Sequence, residues 1–204
     1  MKKSSNKAPY FDKFDNNYYT TGGYDDYLTR FEKEGQDIVQ KLIKVIAPDP
    51  DWCFLDVGCG MGGIILALRN LGFKARGTEV SAYCLEFSPV KKWIKKGNVC
   101  KIPYEDASFN VVLCIDVLCY LNKKEVIQAS KELVRVAKHY LYIESICKES
   151  LNSSQKYNPD LLRNGKDLLT ANEIKKIFED NDTLFLESLY PKEKLQDFSG
   201  VFIK

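Results

Sequence analysis

The fold is decided by one short stretch of this 204-residue chain, Leu55-Asp56-Val57-Gly58-Cys59-Gly60-Met61-Gly62-Gly63. An apolar run leads into the stretch and a helical pattern follows it as far as Leu71, so it joins a strand to a helix. Glycines allow the backbone at such a turn to approach a ligand closely. The spacing of Gly58, Gly60 and Gly63 also fits G-x-G-x-x-G, which by itself is weak evidence for a nucleotide site.

Strands and helices alternate along the rest of the chain. Amphipathic spacing predicts a helix over residues 27–46, and capping-box spacing predicts helix starts at Asn122 and Thr170. The run at 109–117 is almost entirely apolar, as expected for a central parallel strand. Apolar and β-branched runs predict seven strands, over residues 52–57, 74–80, 99–102, 109–117, 140–144, 183–189 and 200–203. This order predicts an α/β fold: a doubly wound, mostly parallel sheet with helices on both faces.

Composition and charge limit the class of protein. With 45% hydrophobic and 28% charged residues, the chain can bury one sizeable core. The 30 basic and 28 acidic residues are scattered, so nothing in the charge favours nucleic acid as a partner. No apolar run approaches the ~20 residues of a membrane helix. We therefore expect one cytoplasmic domain over residues 27–204, preceded by an arm or lid at 1–26, that works as a monomer or homodimer.

The cysteines and the single histidine argue against a metal site. The seven cysteines form no C-x-x-C pair, and most lie in apolar runs, where cysteine behaves as a small hydrophobic residue. His139 is the only histidine of the chain, and it precedes the predicted fifth strand, at the edge of the sheet away from the strand carboxyl ends. We expect free thiols and no bound metal.

Two carboxylates near the turn indicate the kind of ligand. Asp56 lies two residues before Gly58, at a strand end where it can meet an ammonium group directly or through water. Glu79 closes the second strand, from which an acid accepts hydrogen bonds from ribose hydroxyls. The pair predicts a cofactor that contains adenosine.

A third feature is the block at residues 97–121, which reads GNVCKIPYEDASFNVVLCIDVLCYL. With residues 55–63 and Glu79, it resembles the class I S-adenosylmethionine-dependent methyltransferases, especially the small-molecule branch, which has G-D-x-x-x-L-P-F-x-D-x-S-F-D-x-V. The likeness covers residues from about 30 to 190. It implies S-adenosylmethionine as cofactor, a small-molecule methyl acceptor, and an antiparallel last strand in a seven-stranded Rossmann-like sheet.

The resemblance also implies a set of cofactor-binding residues. The glycine turn holds the methionine part, and the acid at the second strand holds the ribose. The residues just before the Ile102-Pro103 pair bracket the adenine, and the end of the fourth strand passes beneath the sulfur. These positions are Tyr19, Asp56, Gly58, Gly60, Glu79, Val80, Asn98, Val99, Cys100 and Cys114. The chain departs from the family at Asn98 and Asn110, where relatives usually have aspartate. Tyr120 replaces a histidine of many relatives, and tyrosine, with an ordinary pKa of about 10, is a poor general base.

The acceptor side is less sharply defined by the sequence. Asp116 and Glu144 follow or end predicted strands and are the candidate catalytic acids; Tyr18, Tyr24 and Tyr120 are candidate substrate residues. The aromatic segment at 10–27 is either a core-covering strap or a lid over the cofactor. Residues 145–169 are predicted to form a second lid segment. Basic residues in or near the two segments would favour an anionic acceptor; they are Arg30, Lys156 and Arg163.

The size of the chain and its resemblance to the small-molecule branch favour O-methylation of a small polar metabolite, such as a sugar or phosphoryl-type group in bacterial surface polysaccharide pathways. A nicotinamide-dependent oxidoreductase has only the glycine spacing in its favour. A nucleic-acid methyltransferase would need a basic recognition region, and the chain has none in its pattern of charges. A non-catalytic subunit that binds S-adenosylmethionine and activates a partner enzyme is the remaining alternative.

Overall fold

Seven strands and six helices make up the part of the chain that a computed structural model describes, residues 14–20, 26–152, 168–189 and 197–204. The strands are β1 (Cys53–Val57), β2 (Lys74–Glu79), β3 (Ile94–Lys96), β4 (Phe109–Ile115), β5 (Ala137–Ser145), β6 (Leu184–Glu187) and β7 (Phe198–Ile203). The helices are α1 (Asn16–Thr20), α2 (Tyr27–Ile46), α3 (Gly63–Asn70), α4 (Ala82–Phe87), α5 (Lys123–Val136) and α6 (Ala171–Glu179).

The strands form one sheet in the order β3-β2-β1-β4-β5-β7-β6. The first five strands in this order pair in parallel, whereas β7 runs antiparallel to both of its neighbours. The predicted doubly wound sheet with an antiparallel last strand is confirmed. From β1 the chain adds β2 and β3 on one side, and it then returns to add β4 and β5 on the other side of β1. The topological switch point therefore lies between β1 and β4.

Helices bury both faces of the sheet. On one face α2 and α3 pack on the alternate strand residues Phe54, Val111 and Leu113. On the other face α5 and α6 pack on Leu55 and Val112. Strand β4 is buried on both sides, which explains its continuous apolar sequence and confirms its prediction as the central strand.

The helix ends follow the chemistry of their first residues. The capping boxes at Asn122 and Thr170 are both formed: each side chain accepts a hydrogen bond from the backbone of Glu125 or Glu173, whose carboxylate accepts one in return. Ser81 caps α4 by accepting a hydrogen bond from the backbone of Cys84. Such caps satisfy amides that have no partner within the helix and contribute about 1 kcal/mol each.

Two strand predictions were wrong in position. The third strand is Ile94–Lys96, not residues 99–102, because the chain turns at Asn98, whose side chain accepts a hydrogen bond from the backbone of Cys100. Two lysines occupy this short strand, a composition that suits the exposed edge of a sheet. Strand β5 begins at Ala137, so His139 lies within it near its amino end, with its ring centroid 5.3 Å from that of Trp52.

No helix in the described ranges is long and apolar enough to cross a membrane.

Candidate cofactor and acceptor site

The turn between β1 and α3 requires glycine for two reasons. Gly58, Gly60 and Gly62 have φ of 76°, 51° and 83°, a backbone region in which other residues are strained. A side chain at Gly58 would overlap Val117, and one at Gly60 would overlap the hydroxyl of Tyr27. Glycine at these positions therefore lets the side chains of Val117 and Tyr27 pack directly on the backbone of the turn.

Helix α2 lies directly on the turn. A Cβ at Gly35 would overlap the backbone of Gly63, and one at Gly63 would overlap the backbone of Phe31, so the two helices touch through their main chains. The hydroxyl of Tyr27 accepts a hydrogen bond of 3.2 Å from the amide of Met61. Sequence patterns did not identify this role of α2; a glycine in the middle of a strongly amphipathic helix was the available signal.

Glu79 is tied to the turn by its carboxylate. One oxygen accepts a hydrogen bond of 2.7 Å from the amide of Gly60, and the other accepts bonds of 2.7 and 2.9 Å from the amides of Val80 and Ser81. Burial raises the pKa of Glu79, and these three bonds act in the opposite direction. Since a carboxylate offers about four acceptor positions, Glu79 retains capacity toward a ligand in the cavity that it lines.

Asp56 is the second buried carboxylate. Its side chain is 4% exposed, and within the described ranges it has no hydrogen-bond partner. Burial, and then the nearby charge of Glu79, raise the pKa of Asp56 to about 7. A buried polar group without a partner is costly, so this position favours a cationic ligand group that would pair with it.

These groups line one cavity of about 260 Å³ at the carboxyl ends of the strands. Nine predicted site residues that line it are Tyr18, Tyr19, Asp56, Gly58, Gly60, Glu79, Val80, Asn98 and Val99. Asp116 and Tyr120 line it as well. Lining residues that the sequence patterns did not connect with the site include Phe31, Glu34 and Ile38.

The aromatic segment around α1 covers the cavity. The hydroxyls of Tyr18 and Tyr120 are 2.7 Å apart, and Ser81 donates a hydrogen bond of 2.5 Å to the backbone oxygen of Phe14. The ring of Tyr19 stacks on that of Tyr83, with 5.4 Å between centroids. Burial raises the pKa of Tyr19 well above its ordinary value, so this phenol stays neutral.

Some predicted residues do not line the cavity. Cys114 faces the core between the sheet and α5, because alternate residues of β4 point to opposite faces. The thiol of Cys100 is directed to the backbone oxygen of Glu125 at 3.6 Å. The carboxylate of Glu144 accepts a hydrogen bond from the hydroxyl of Tyr142, and burial raises the pKa of Glu144. Tyr24, Lys156 and Arg163 lie outside the described residues.

Asp116 differs from Glu144 in both position and backbone. It follows β4, lines the cavity and is exposed, with a left-handed φ of 53° that is uncommon for residues other than glycine. Its amide donates a hydrogen bond of 2.9 Å to the backbone oxygen of Glu144. Asp116 is thus a carboxylate at the switch point beside the buried pair Asp56 and Glu79. The described ranges contain no cluster of three residues that could hold a metal ion.

Comparison with protein families finds a methyltransferase domain over residues 55–142. An uncharacterised protein of Methanocaldococcus jannaschii is 26% identical over 156 residues, which are 74% of this chain and 67% of that protein. The sterol 4-C-methyltransferase of Caenorhabditis elegans is 32% identical over 94 residues, 41% of this chain and 27% of that enzyme. The matched domain begins within β1 and ends within β5.

Solved structures share the whole fold. A chain from the complex of the Haloferax volcanii Trm112 methyltransferase activator with its proposed methyltransferase aligns with a TM-score of 0.68 and 15% identity, over 94% of this chain and 97% of that chain. The magnesium protoporphyrin IX methyltransferase of Synechocystis with bound S-adenosylmethionine aligns with a TM-score of 0.61 and 14% identity, over 92% and 88%. The chain thus contains a methyltransferase domain over residues 55–142, and it shares its fold with a solved methyltransferase that has S-adenosylmethionine bound.

Proposed function

We propose that this protein is a methyltransferase that uses S-adenosylmethionine, that it modifies a small polar metabolite, and that oxygen is the atom it methylates. In this proposal Asp56 binds the ammonium group of the cofactor, Glu79 binds the ribose hydroxyls, and residues 97–99 contact the adenine. The buried carboxylate of Asp56 and the lining of the same cavity by Gly58 and Gly60 support this fit. When bound, S-adenosylmethionine supplies a methyl group on a positively charged sulfur.

Asp116 is the residue proposed to take the proton of the acceptor hydroxyl. The observation that carries this assignment is that Asp116 lines the same cavity as Asp56 and Glu79, whereas Glu144 does not. Because methyl transfer is an in-line displacement, the cavity contributes mainly by alignment, and proton removal adds to it. Tyr18 and Tyr120 are proposed to orient the acceptor through their paired hydroxyls, under the lid that residues 1–26 would form.

The charges in the cavity wall bear on the class of acceptor. Among the described lining residues one cation, Arg30, stands against four carboxylates, those of Glu34, Asp56, Glu79 and Asp116. Arg30 is already paired with Asp26 and Glu34. An uncharged sugar hydroxyl, as in bacterial surface polysaccharide pathways, therefore suits the cavity better than a phosphoryl group. The seven free thiols agree with a location in the cytoplasm. In this proposal the protein acts as a monomer or homodimer.

The proposal is tested by binding and turnover together. Calorimetric titration with S-adenosylmethionine, S-adenosylhomocysteine and NAD should give binding of the two adenosyl compounds, lost in Asp56→Ala and Glu79→Ala. Release of S-adenosylhomocysteine is then followed with a panel of sugars, sugar phosphates, amino alcohols and phenols. With an active hydroxyl acceptor, Asp116→Asn should lower kcat about 100-fold or more, and Glu144→Gln should change it little. Equal effects of the two variants would refute the role of Asp116.

The alternative of a non-catalytic subunit keeps a specific observation in its favour, the structural neighbour that was solved with an activator protein. In that case the adenosyl compounds would bind, and no member of the panel would be methylated at a rate above the background. Turnover of any one acceptor by the isolated chain would exclude this alternative.

A further inference from the structure

Basic residues collect on one edge of the sheet, where β3 is the last strand. Residues 69–101 hold eight of the 30 basic residues of the chain but only two of its 28 acidic residues, and one of those two, Glu79, is buried. Six exposed side chains on β2, on β3 and just before β3 form what we call the basic edge: Lys74, Arg76, Lys91, Lys92, Lys95 and Lys96. The fold thus gives one edge an excess of positive charge that the net charge of +2 conceals.

Neighbouring acids do not neutralise the basic edge. Cations elsewhere in the structure form ion pairs, as Arg135 does with Asp106 and Glu132, and Lys123 with Glu173. None of the six side chains of the basic edge has an ion-pair partner among the described residues. Because uncompensated cations create a positive potential at the surface, this edge should attract anions.

An exposed aromatic ring lies beside these lysines. Phe87, the last residue of α4, is 57% exposed. The backbone oxygen of its neighbour Glu86 accepts a hydrogen bond of 3.0 Å from Nζ of Lys91, and Nζ of Lys92 lies 4.3 Å from the ring centroid of Trp93. An apolar ring next to cations is typical of surfaces that bind anionic membranes, because the ring enters the boundary between headgroups and acyl chains while the lysines attract the headgroups.

We propose that the basic edge binds the surface of an anionic lipid membrane, with Phe87 inserted at the level of the headgroups. Five of its six cations are lysines, whose flexible apolar stems let the ammonium groups follow a fluid surface, whereas nucleic-acid recognition favours the rigid fork of arginine. The basic edge also adjoins the cavity, since residues 97–99 follow Lys96 directly and line it. A membrane bound at this edge would therefore lie beside the cavity.

The test measures cosedimentation of the protein with vesicles of phosphatidylcholine alone and with vesicles of equimolar phosphatidylcholine and phosphatidylglycerol. The wild type should bind the anionic vesicles about tenfold or more tightly than the neutral ones, and added salt should weaken this binding. Lys91→Gln combined with Lys92→Gln should weaken it about 25-fold, since each lysine near an anionic surface contributes a factor of about five. Phe87→Ser keeps every charge and should weaken it about tenfold.

Lys124→Gln combined with Lys131→Gln is the matched control, because it removes the same charge from exposed positions on α5 and should leave the affinity within about twofold. The inference is overturned if the wild type binds neither kind of vesicle or both equally, if Phe87→Ser binds like the wild type, or if the control pair weakens binding as much as the pair at the basic edge. Duplex RNA that displaces the protein from the vesicles, and that binds Phe87→Ser as tightly as the wild type, would assign the edge to nucleic acid and also overturn it. Thermal unfolding of each variant confirms that it is folded.

Discussion

At the scale of single residues, three carboxylates near the sheet edge differ in their hydrogen-bond partners. Glu79 is satisfied by three backbone amides, and Glu144 is satisfied by the hydroxyl of Tyr142. Asp56 is buried with no hydrogen-bond partner in the described ranges, and its pKa is raised to about 7. A positive ligand group would remove the cost of ionising Asp56, so its protonation should be coupled to cofactor binding.

Cofactor affinity is therefore predicted to depend on pH. In the free protein, burial and the charge of Glu79 keep Asp56 protonated below pH 7, whereas a bound ammonium group lowers its pKa and binding releases the proton. The dissociation constant of S-adenosylhomocysteine should increase about tenfold for each pH unit below 7 and level off above it. Titration calorimetry between pH 5.5 and 8.5 measures this profile.

The control separates Asp56 from Glu79, whose pKa is also raised. Methylthioadenosine keeps the ribose contact and lacks the ammonium group, so its affinity reports the titration of Glu79 without that of Asp56. The ratio of the affinities for S-adenosylhomocysteine and methylthioadenosine should change with pH in the wild type and should stay constant with pH in Asp56→Asn. A ratio that stays constant from pH 5.5 to 8.5 in the wild type would contradict the assignment of Asp56.

At the scale of elements, α2 is both a core helix and a wall of the cavity. Val39, Leu42 and Ile46 anchor its second half in the core on the sheet. Its first half carries Tyr27 and Arg30 to the glycine turn, and the Gly35–Gly63 contact fixes the distance between α2 and α3. A change at that contact should alter stability and ligand binding together.

Gly35→Ala is predicted to destabilise the protein by about 1–3 kcal/mol, because the added methyl group overlaps the backbone of Gly63. Helix propensity alone would stabilise the same substitution by about 1 kcal/mol. The affinity for S-adenosylhomocysteine should decrease as well, since α2 must move away from the turn. Urea unfolding and calorimetry measure the two effects. Gln36→Ala, on the exposed side of the same helix, should change neither; a stabilised Gly35→Ala protein would refute the close contact.

At the scale of the whole molecule, the cavity is built from elements that are distant in the sequence. Residues at the ends of β1, β2, β3 and β4 contribute to its wall, and α1 and α2 close it. They come together because the carboxyl ends of parallel strands share one edge of the sheet, on either side of the switch point. A ligand in this cavity would connect the two halves of the fold.

Saturation with the cofactor product should therefore stabilise the whole chain. At 100 times its dissociation constant, S-adenosylhomocysteine is expected to add about 2.7 kcal/mol to the free energy of unfolding. For a chain of this length the midpoint of thermal unfolding should rise by about 5–10 °C. Scanning calorimetry with and without the ligand measures the shift. NAD at the same concentration should give none, and an equal shift with NAD would indicate a site that recognises adenosine alone.

The sequence predicted most of this architecture because its signals are local. Helix α2 lies at its predicted bounds, and the capping boxes at Asn122 and Thr170 are formed as their spacing indicated. The third strand was misplaced because Ile94–Lys96 is a short edge strand with two lysines, and such strands lack the apolar pattern by which buried strands are found. Residues 1–13, including part of the predicted lid, lie outside the described ranges.

By itself, the sequence determined the strand, glycine turn and helix at residues 55–63, the carboxylates at their strand ends, and the methyltransferase resemblance that they carry. These depend on backbone conformations that few residues adopt and on the alternation of elements along the chain. Only the tertiary structure decided that Arg30 and Glu34 line the cavity, that Glu144 and Cys114 do not, and that Asp56 has a raised pKa. Those properties depend on contacts between α2, the turn and the sheet, which join residues far apart in the chain and leave no periodic signal in it.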